Sequence, residues 1–149
     1  MKLQALFKAD IELAPAQELG AGPLGRRRII AITGGRFIGE RLSGRVLPGG
    51  ADWQVIRADG VAELDARYTL ETADGALVYV RNRGYRHGPA EFLKRLAAGE
   101  NIDSGRYYMR TTPLFETGDE RYAWLNRMVC VASGARRPAE VELEVFEVL

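Results

Sequence analysis

Residues Ala62–Asn82 read AELDARYTLETADGALVYVRN, and this stretch decides the fold class. Apolar and polar residues alternate from Ala62 to Leu70, which is the period of a strand with one buried face. Asp74-Gly75 follows, and an Asp-Gly pair suits the left-handed backbone conformations of a two-residue turn. A second strand begins at Ala76. The stretch therefore predicts an antiparallel hairpin.

The same pattern recurs along the chain and predicts one domain of antiparallel strands over residues 1–149. Alternation marks Leu3–Leu13 as the first strand, whereas Ala14–Gly25, which is rich in glycine and alanine and contains two prolines, is predicted to be a loop. The other strand segments are Arg28–Ile32, Arg41–Val46, Trp53–Arg57, Gly105–Thr112, Ala123–Ala132 and Glu140–Leu149. Only Pro89–Ala98 has the apolar spacing and the flanking breakers of a helix.

This number of strands with one short helix favours an all-β fold that closes on itself. Unpaired sheet edges promote aggregation, and closure removes them. We therefore predict an antiparallel β-barrel of about eight to ten strands, with a two-sheet sandwich as the alternative. The 46% hydrophobic content is sufficient to fill such a core without disulfides or a structural metal.

The charge balance and the terminal sequence exclude several classes of partner. The chain has 21 basic and 20 acidic residues and a net charge of +1, so it has no overall field that would attract nucleic acid. The N-terminus lacks the apolar run of a signal peptide, and no stretch approaches the roughly 20 residues that span a membrane. Together with the lone Cys130, these features predict a cytoplasmic protein with no membrane partner.

Alternation also groups candidate site residues by strand face. Those on a polar or mixed face are Asp65, Arg67, Tyr108, Arg110, Thr112 and Glu116. The further candidates are Trp53, Trp124 and Asn126. Asn126 is interpreted as a buried amide on a strand, where it must find hydrogen-bond partners. A barrel of about eight strands holds one small ligand, and the fork of an arginine matches a ligand carboxylate. The alternative interpretation is structural, with solvated ion pairs and core tryptophans.

Other motifs do not have the context that their chemistry requires. Gly20–Gly25 has the glycine spacing of a dinucleotide loop, but a strand-like segment rather than a helix follows it. His87 is the only histidine, which argues against a tightly held transition metal. We expect no cofactor and no metal at the site, although a weak carboxylate site for Mg²⁺ stays open.

Five blocks in a fixed order give the chain a specific resemblance. They are Ile32–Gly39, Val46–Gln54, Leu64–Tyr68, Tyr107–Thr117 and Trp124–Asn126. They resemble the uncharacterised protein family 0311, also called domain of unknown function 3237, and cover almost the whole chain. The resemblance implies a small barrel of the calycin or allene-oxide-cyclase kind. It also implies a link to nitroaromatic breakdown, in which similar proteins are lyases that convert a hydroxylamino-benzoate to a dihydroxybenzoate and ammonia.

The candidate residues are compatible with such a reaction. The general acid would be Asp65, Glu116 or Asp52. Arg110 or Arg67 would bind the carboxylate of the substrate. The face of Trp53 or Trp124 would stabilise a cationic ring. We therefore expect a cofactor-independent lyase, hydratase or isomerase acting on a small aromatic or unsaturated carboxylic acid. The alternatives are a non-catalytic carrier of a small molecule and an interaction module. Apolar residues on both strand faces favour a homo-oligomer in each case.

Overall fold

Every strand of the protein joins one antiparallel sheet. The computed structural model describes residues 1–149. The elements are β1 (Leu3–Leu13), β2 (Gln17–Gly22), β3 (Gly25–Ile38), β4 (Ser43–Val46), β5 (Ala51–Ile56), β6 (Ala62–Thr72), β7 (Leu77–His87), α1 (Ala90–Ala97), β8 (Tyr108–Glu116), β9 (Cys130–Arg136) and β10 (Glu140–Val148), with 3-10 helices at Ser104–Arg106 and Glu120–Arg127.

The sheet closes into a barrel because β1 pairs with both β10 and β3. The order is β1-β10-β9-β8-β7-β6-β4-β3-β2, and β5 lies beyond β4 between β3 and β6. The result is a closed barrel of eight strands with two additional strands, which confirms the predicted all-β barrel. Gly35 lies on β3 where this strand pairs with β1, and a side chain there would collide with the carbonyl oxygen of Asp10, so glycine is required.

One end of the barrel, here the closed end, is filled by side chains. Phe7 packs against Phe37 and Phe115 with ring centroids 5.3 and 5.9 Å apart. They belong to a cluster of 19 buried residues that also contains Leu70 and Val78. Such tight packing leaves no room for a ligand, so any ligand site in the lumen must lie toward the other end.

The opposite end, here the mouth, is covered by the segment from α1 to the 3-10 helix at Ser104–Arg106. Leu96 and Ile102 of this cover segment pack with Leu64, Tyr107 and Met109 in a separate cluster of six buried residues. The predicted helix at Pro89–Ala98 is confirmed by α1 at Ala90–Ala97. No helix in the structure combines the length and the apolar character needed to cross a membrane.

Several predicted boundaries are wrong. The predicted strand Gly105–Thr112 begins too early and ends too soon, because Ser104–Arg106 is a 3-10 helix and β8 spans Tyr108–Glu116, and Arg28–Ile32 is only the middle of β3. Ala14–Gly25 is not a loop throughout, because Gln17–Gly22 forms β2 against the part of β3 that extends beyond the barrel. Ala123–Ala132 is not one strand, because Glu120–Arg127 is a 3-10 helix and β9 begins only at Cys130. The side chain of Asp119 accepts a hydrogen bond from the backbone N–H of Arg121 and starts this helix.

Asn126 then holds that helix against the end of β8. Its Oδ1 accepts the backbone N–H of Thr117 at 2.8 Å, and its Nδ2 donates to the carbonyl of Thr117 at 2.9 Å. We expect Asn126→Ala to lower the free energy of unfolding by about 1–3 kcal/mol, because both backbone groups lose a partner. Urea denaturation measures the change. The exposed Asn101→Ala is the control and should shift stability by less than about 0.5 kcal/mol; equal effects would contradict this role.

Candidate functional site

A small cavity lies in the lumen between the closed end and the mouth. It encloses about 50 Å³, which accommodates about four water molecules, so the cavity must widen to admit a ligand of even one ring. Its apolar wall includes Ile11, Ile30, Ile32, Leu64, Met109 and Leu143, and its polar groups come from Asp52, Gln54, Tyr68, Asn82, Arg86, Thr111 and Arg136. Apolar walls with a few convergent polar groups are typical of a small-molecule site.

Asp52 is the only carboxyl group that lines this cavity. The pairing of β5 with β6 is interrupted after Asp52, which pairs with Ala66, and resumes at Val55. At this interruption Asp52 Oδ1 accepts a hydrogen bond from the backbone N–H of Asp65 at 2.9 Å. Gln54 Nε2 donates to Asp52 Oδ2 at 3.2 Å. Burial raises the pKa of Asp52 above its ordinary value and outweighs the opposing effect of these hydrogen bonds. A carboxyl group whose pKa is raised in this way is suited to proton transfer as a general acid.

This raised pKa predicts a pH-dependent stability difference between the wild type and Asp52→Asn. From about pH 4, the ordinary aspartate value, up to the raised pKa, the folded state holds the proton more tightly than the unfolded chain does. Wild-type stability therefore falls as pH rises through this window, and the variant lacks that contribution. We expect the stability of the variant relative to wild type to be greater at pH 7 than at pH 4 in urea denaturation; a constant difference would contradict the pKa shift.

Two arginines bring excess positive charge to the same end of the cavity. Arg86 is only 8% exposed, and neither Arg86 nor Arg136 forms an ion pair with a carboxylate. Burial, followed by the charges of Arg136 and Arg28, lowers the pKa of Arg86 to about 10. Burial, followed by the charge of Arg28, also lowers the pKa of Arg136. Both remain cationic at neutral pH, so the site is suited to an anion.

Gln54 connects the acid to the arginines. It is 1% exposed, and its Oε1 accepts from Arg28 Nη1 at 3.0 Å and from Arg86 Nη2 at 3.4 Å. Arg28 is neutralised by Glu18 at 2.9 Å, which leaves Arg86 and Arg136 as the cations without an acidic partner. An amide can bridge these groups because it offers both donors and an acceptor. The polar end of the cavity is thus a connected network with a surplus of positive charge.

Two of the residues that line the cavity elsewhere each carry a buried polar atom without a partner. Asn82 Oδ1 and Thr111 Oγ1 form no hydrogen bond, and each residue is only 4% exposed. Tyr68 also lines the cavity, and burial alone raises the pKa of its hydroxyl group, which stays neutral. Unpaired buried polar atoms are rare in native proteins, so these two need a functional explanation.

Most of the residues predicted from the sequence lie outside the lumen. The side chains of Arg67, Tyr108, Arg110, Thr112 and Glu116 are exposed, and Asp65, on the outward-facing parity of β6, pairs with Arg67 at 3.6 Å. The expectation that these side chains line the lumen is contradicted by their burial pattern. The inward face of β6 carries the apolar Leu64, Ala66 and Tyr68 instead, because a barrel buries the more apolar face of each strand.

The remaining candidates are divided among three places. Asp52 lines the cavity, as described above. Trp53 is 39% exposed on the outer surface. Trp124 lies near the closed end, where the guanidinium of Arg41 is 3.9 Å from its ring centroid, and Asn126 holds the backbone of Thr117. Apart from the backbone N–H of Asp65, the structure therefore brings none of the other candidates to Asp52.

A second concavity, here the outer groove, contains three of the predicted residues. Tyr108, Arg110 and Thr112 line it together with Tyr85 and Phe146, and its volume is about 880 Å³. The groove opens to solvent, and Tyr108 stacks on His87 with ring centroids 4.7 Å apart. Solvent screens its charges, so it offers little control over proton affinity. The lumen cavity is the stronger candidate for chemistry.

Other reactive groups lie away from the cavity. Burial raises the pKa of the Cys130 thiol to about 11, so this residue is a poor nucleophile. Asp10, Glu140 and Glu142 come together on the outside of β1 and β10, but Arg36 lies 3.7 Å from Asp10 and Arg137 lies 3.0 Å from Glu142. This acidic cluster is partly neutralised and is not included in the site.

Sequence reasoning missed Gln54, Asn82, Arg86, Thr111 and Arg136. For two of them a signal existed, because Asn82 and Arg86 share strand parity with the buried Val78 and Val80 on β7. Polar residues on the inward parity of a strand are the mark of a lined cavity. Arg136 had no such signal, because its strand was predicted to end at Ala132.

Comparison with known proteins places the chain in a family. The sequence profile described as "Protein of unknown function (DUF3237)" matches residues 1–148. The chain belongs to the DUF3237 family. It is 48% identical to a UPF0311 protein of Rhodopseudomonas palustris over 138 residues, which cover 93% of this chain and 88% of the relative. This membership confirms the resemblance carried by the five sequence blocks.

Solved structures agree with the DUF3237 barrel. A β-barrel-like protein of Acinetobacter baumannii superposes with a TM-score of 0.86 at 47% identity, covering 98% of this chain and 94% of that one. A more distant relative, 27% identical over 126 residues, is a hydroalkoxylation enzyme of Penicillium herquei, and the match covers 85% of this chain and 69% of the relative. DUF3237 thus has a relative with a named enzymatic activity.

Proposed function

We propose that this DUF3237 protein is a cofactor-independent lyase, hydratase or isomerase that acts on a small aromatic or unsaturated carboxylic acid bound in the lumen cavity. The observation that carries the proposal is the meeting of Asp52, whose pKa is raised, with Arg86 and Arg136, neither of which forms an ion pair with a carboxylate. The arginines bind the anionic group of the substrate. Asp52 exchanges a proton with the reacting group.

The chemistry needs only protons and the elements of water or an alcohol. In an addition, Asp52 donates its proton to one carbon of a double bond, an oxygen bonds to the other carbon, and the proton lost by that oxygen restores the acid. In the hydroxylamino-benzoate reaction, substrate and one water give dihydroxybenzoate and ammonia, so atoms and electrons balance without an oxidant. Asp52 would protonate the departing hydroxylamine oxygen.

The named activity of the fungal relative supports this class of reaction. Hydroalkoxylation adds the O–H of an alcohol across a carbon–carbon double bond, which is an addition of the kind described above. A carrier of small molecules is the competing function, since it would use the same arginines. It has no use, however, for a buried carboxyl group in the lumen whose pKa is raised.

Turnover distinguishes the enzyme from the carrier. The protein is incubated in deuterated buffer with 4-hydroxylaminobenzoate or with cinnamate, ammonia is assayed in the first case, and proton NMR follows deuterium at carbon in the second. Release of ammonia, or deuterium at carbon, above a protein-free control supports the enzyme. If both acids raise the melting temperature and neither reacts, the carrier replaces it. The absence of both binding and reaction overturns the lumen as a site for these acids.

A further inference from the structure

We propose that Asn82 and Thr111 form a second polar subsite in the lumen cavity that binds a hydroxyl group of the substrate. This inference rests on the proposed function and deepens it, because it specifies the substrate class as a hydroxylated, single-ring or similarly small unsaturated acid. Its basis is independent of Asp52 and the arginines. It is the pair of buried polar atoms, Asn82 Oδ1 and Thr111 Oγ1, that have no partner in the protein.

The two atoms complement a hydroxyl group. Asn82 Oδ1 is an acceptor only, so it needs a donor, whereas the hydroxyl of Thr111 can donate as well as accept. A ligand hydroxyl can donate to Asn82 and accept from Thr111 at the same time. With the Asn82 amide oriented as in the structure, a carboxylate or an ether offers no proton to Oδ1 and would leave this oxygen unpaired. The subsite therefore selects a hydroxyl group over these alternatives.

The position of Asn82 places such a group on the same row of the barrel wall as Asp52. Asn82 pairs with Ala66 across β6–β7, and Ala66 pairs with Asp52 across β5–β6, so the three residues form one row across the wall. Neighbouring strands are about 4.8 Å apart, which places Asp52 and Asn82 on strands about 10 Å apart. Ala66 has only a methyl group and leaves the space between them free.

The distance to the arginine end sets the length of the substrate. Arg86 lies four residues beyond Asn82 on β7, so their Cα atoms are about 13 Å apart. Both side chains extend into the lumen from the inward face, which shortens the span that a ligand must bridge. A carboxylate and a hydroxyl at opposite ends of one ring fit this arrangement. The volume of about 50 Å³ admits such a ring only when the walls move outward, and larger molecules need a still larger rearrangement.

Binding of three matched acids tests the subsite. Calorimetry compares benzoate, 4-hydroxybenzoate and 4-methoxybenzoate with the wild type. We expect 4-hydroxybenzoate to bind about tenfold more tightly than either benzoate or 4-methoxybenzoate. A hydrogen bond that also gives a partner to a buried unpaired atom changes the dissociation constant by about that factor. In Thr111→Val, which keeps the shape of the side chain, and in Asn82→Leu, the preference should fall below about threefold.

The control is Thr112→Val, because Thr112 is the next residue on the same strand and lies on the outer face. It should leave the preference unchanged. Equal binding of benzoate and 4-hydroxybenzoate by the wild type overturns the subsite and leaves the proposed function standing. If none of the acids binds, the arginine site fails and the proposed function fails with it. A preference that survives in Thr111→Val and in a folded Asn82→Leu also overturns the subsite.

Discussion

Asp52→Asn should abolish most of the turnover while leaving the barrel intact. The asparagine keeps an oxygen that can accept the backbone N–H of Asp65, so the junction between β5 and β6 is preserved. It cannot transfer a proton. Because general acid catalysis contributes about 10²- to 10⁴-fold, we expect kcat to fall by at least about 100-fold with little change in the affinity for benzoate. The measurement is the initial rate on whichever acid turns over in the wild type.

Two carboxyl groups outside the lumen provide the controls for this prediction. The cleaner of the two is Glu116→Gln, because it removes a carboxylate on the outer surface that has no contact with Asp52, whereas Asp65 donates its backbone N–H to Asp52 and its charge adds to the effect of burial in raising the pKa of Asp52. We expect Glu116→Gln to retain at least about half of the wild-type rate. A loss in Glu116→Gln that matches the loss in Asp52→Asn would show that the reacting carboxyl group is not defined by the lumen.

Arg86→Met should stabilise the ligand-free protein and weaken its binding of carboxylates. The guanidinium is buried without an acidic partner, so replacing it with an apolar side chain of similar length removes an uncompensated charge. Such replacements of buried ionic groups are often neutral or stabilising by about 1–4 kcal/mol. Loss of a charge-assisted hydrogen bond should raise the dissociation constant for benzoate by about 10- to 100-fold. Urea denaturation and calorimetry give the two quantities.

The matched control is Arg110→Met, which removes an exposed arginine that lines the outer groove. Its effects on stability should remain within about 0.5 kcal/mol, and its affinity for benzoate should be unchanged. If Arg86→Met destabilises the ligand-free protein, the guanidinium has a structural partner and the argument for an anion site loses its basis. A gain in stability together with a loss of affinity is the mark of a residue kept for function rather than for folding.

The fold could be predicted from the sequence because its signals are local. Alternation in Ala62–Leu70, the Asp74-Gly75 turn and the breakers around α1 each act over a few residues, and closure of the sheet follows from the number of strands. The 3-10 helix at Glu120–Arg127 could not be predicted this way. It depends on Asn126 reaching the backbone of Thr117, a contact that no periodicity encodes.

The candidate site could be predicted only in part. Asp52 was identified, but Asp65 and Arg110 were assigned to the lumen because polar faces were taken for ligand-binding faces. In a small barrel the apolar face turns inward, so the informative residues are the polar exceptions on that face, such as Asn82 and Arg86 on β7. The partnership of Asp52 with Gln54 depends further on a gap in the β5–β6 ladder, which only three-dimensional pairing reveals.

The cover over the mouth has a kinetic consequence. Only Leu96 and Ile102 of the cover segment are buried in the cluster of six, whereas the main core contains 19 residues, so opening of the cover segment costs less free energy than opening of the barrel wall. Entry and exit of a ligand then wait for this opening. Observed binding rates should therefore level off at high ligand concentration.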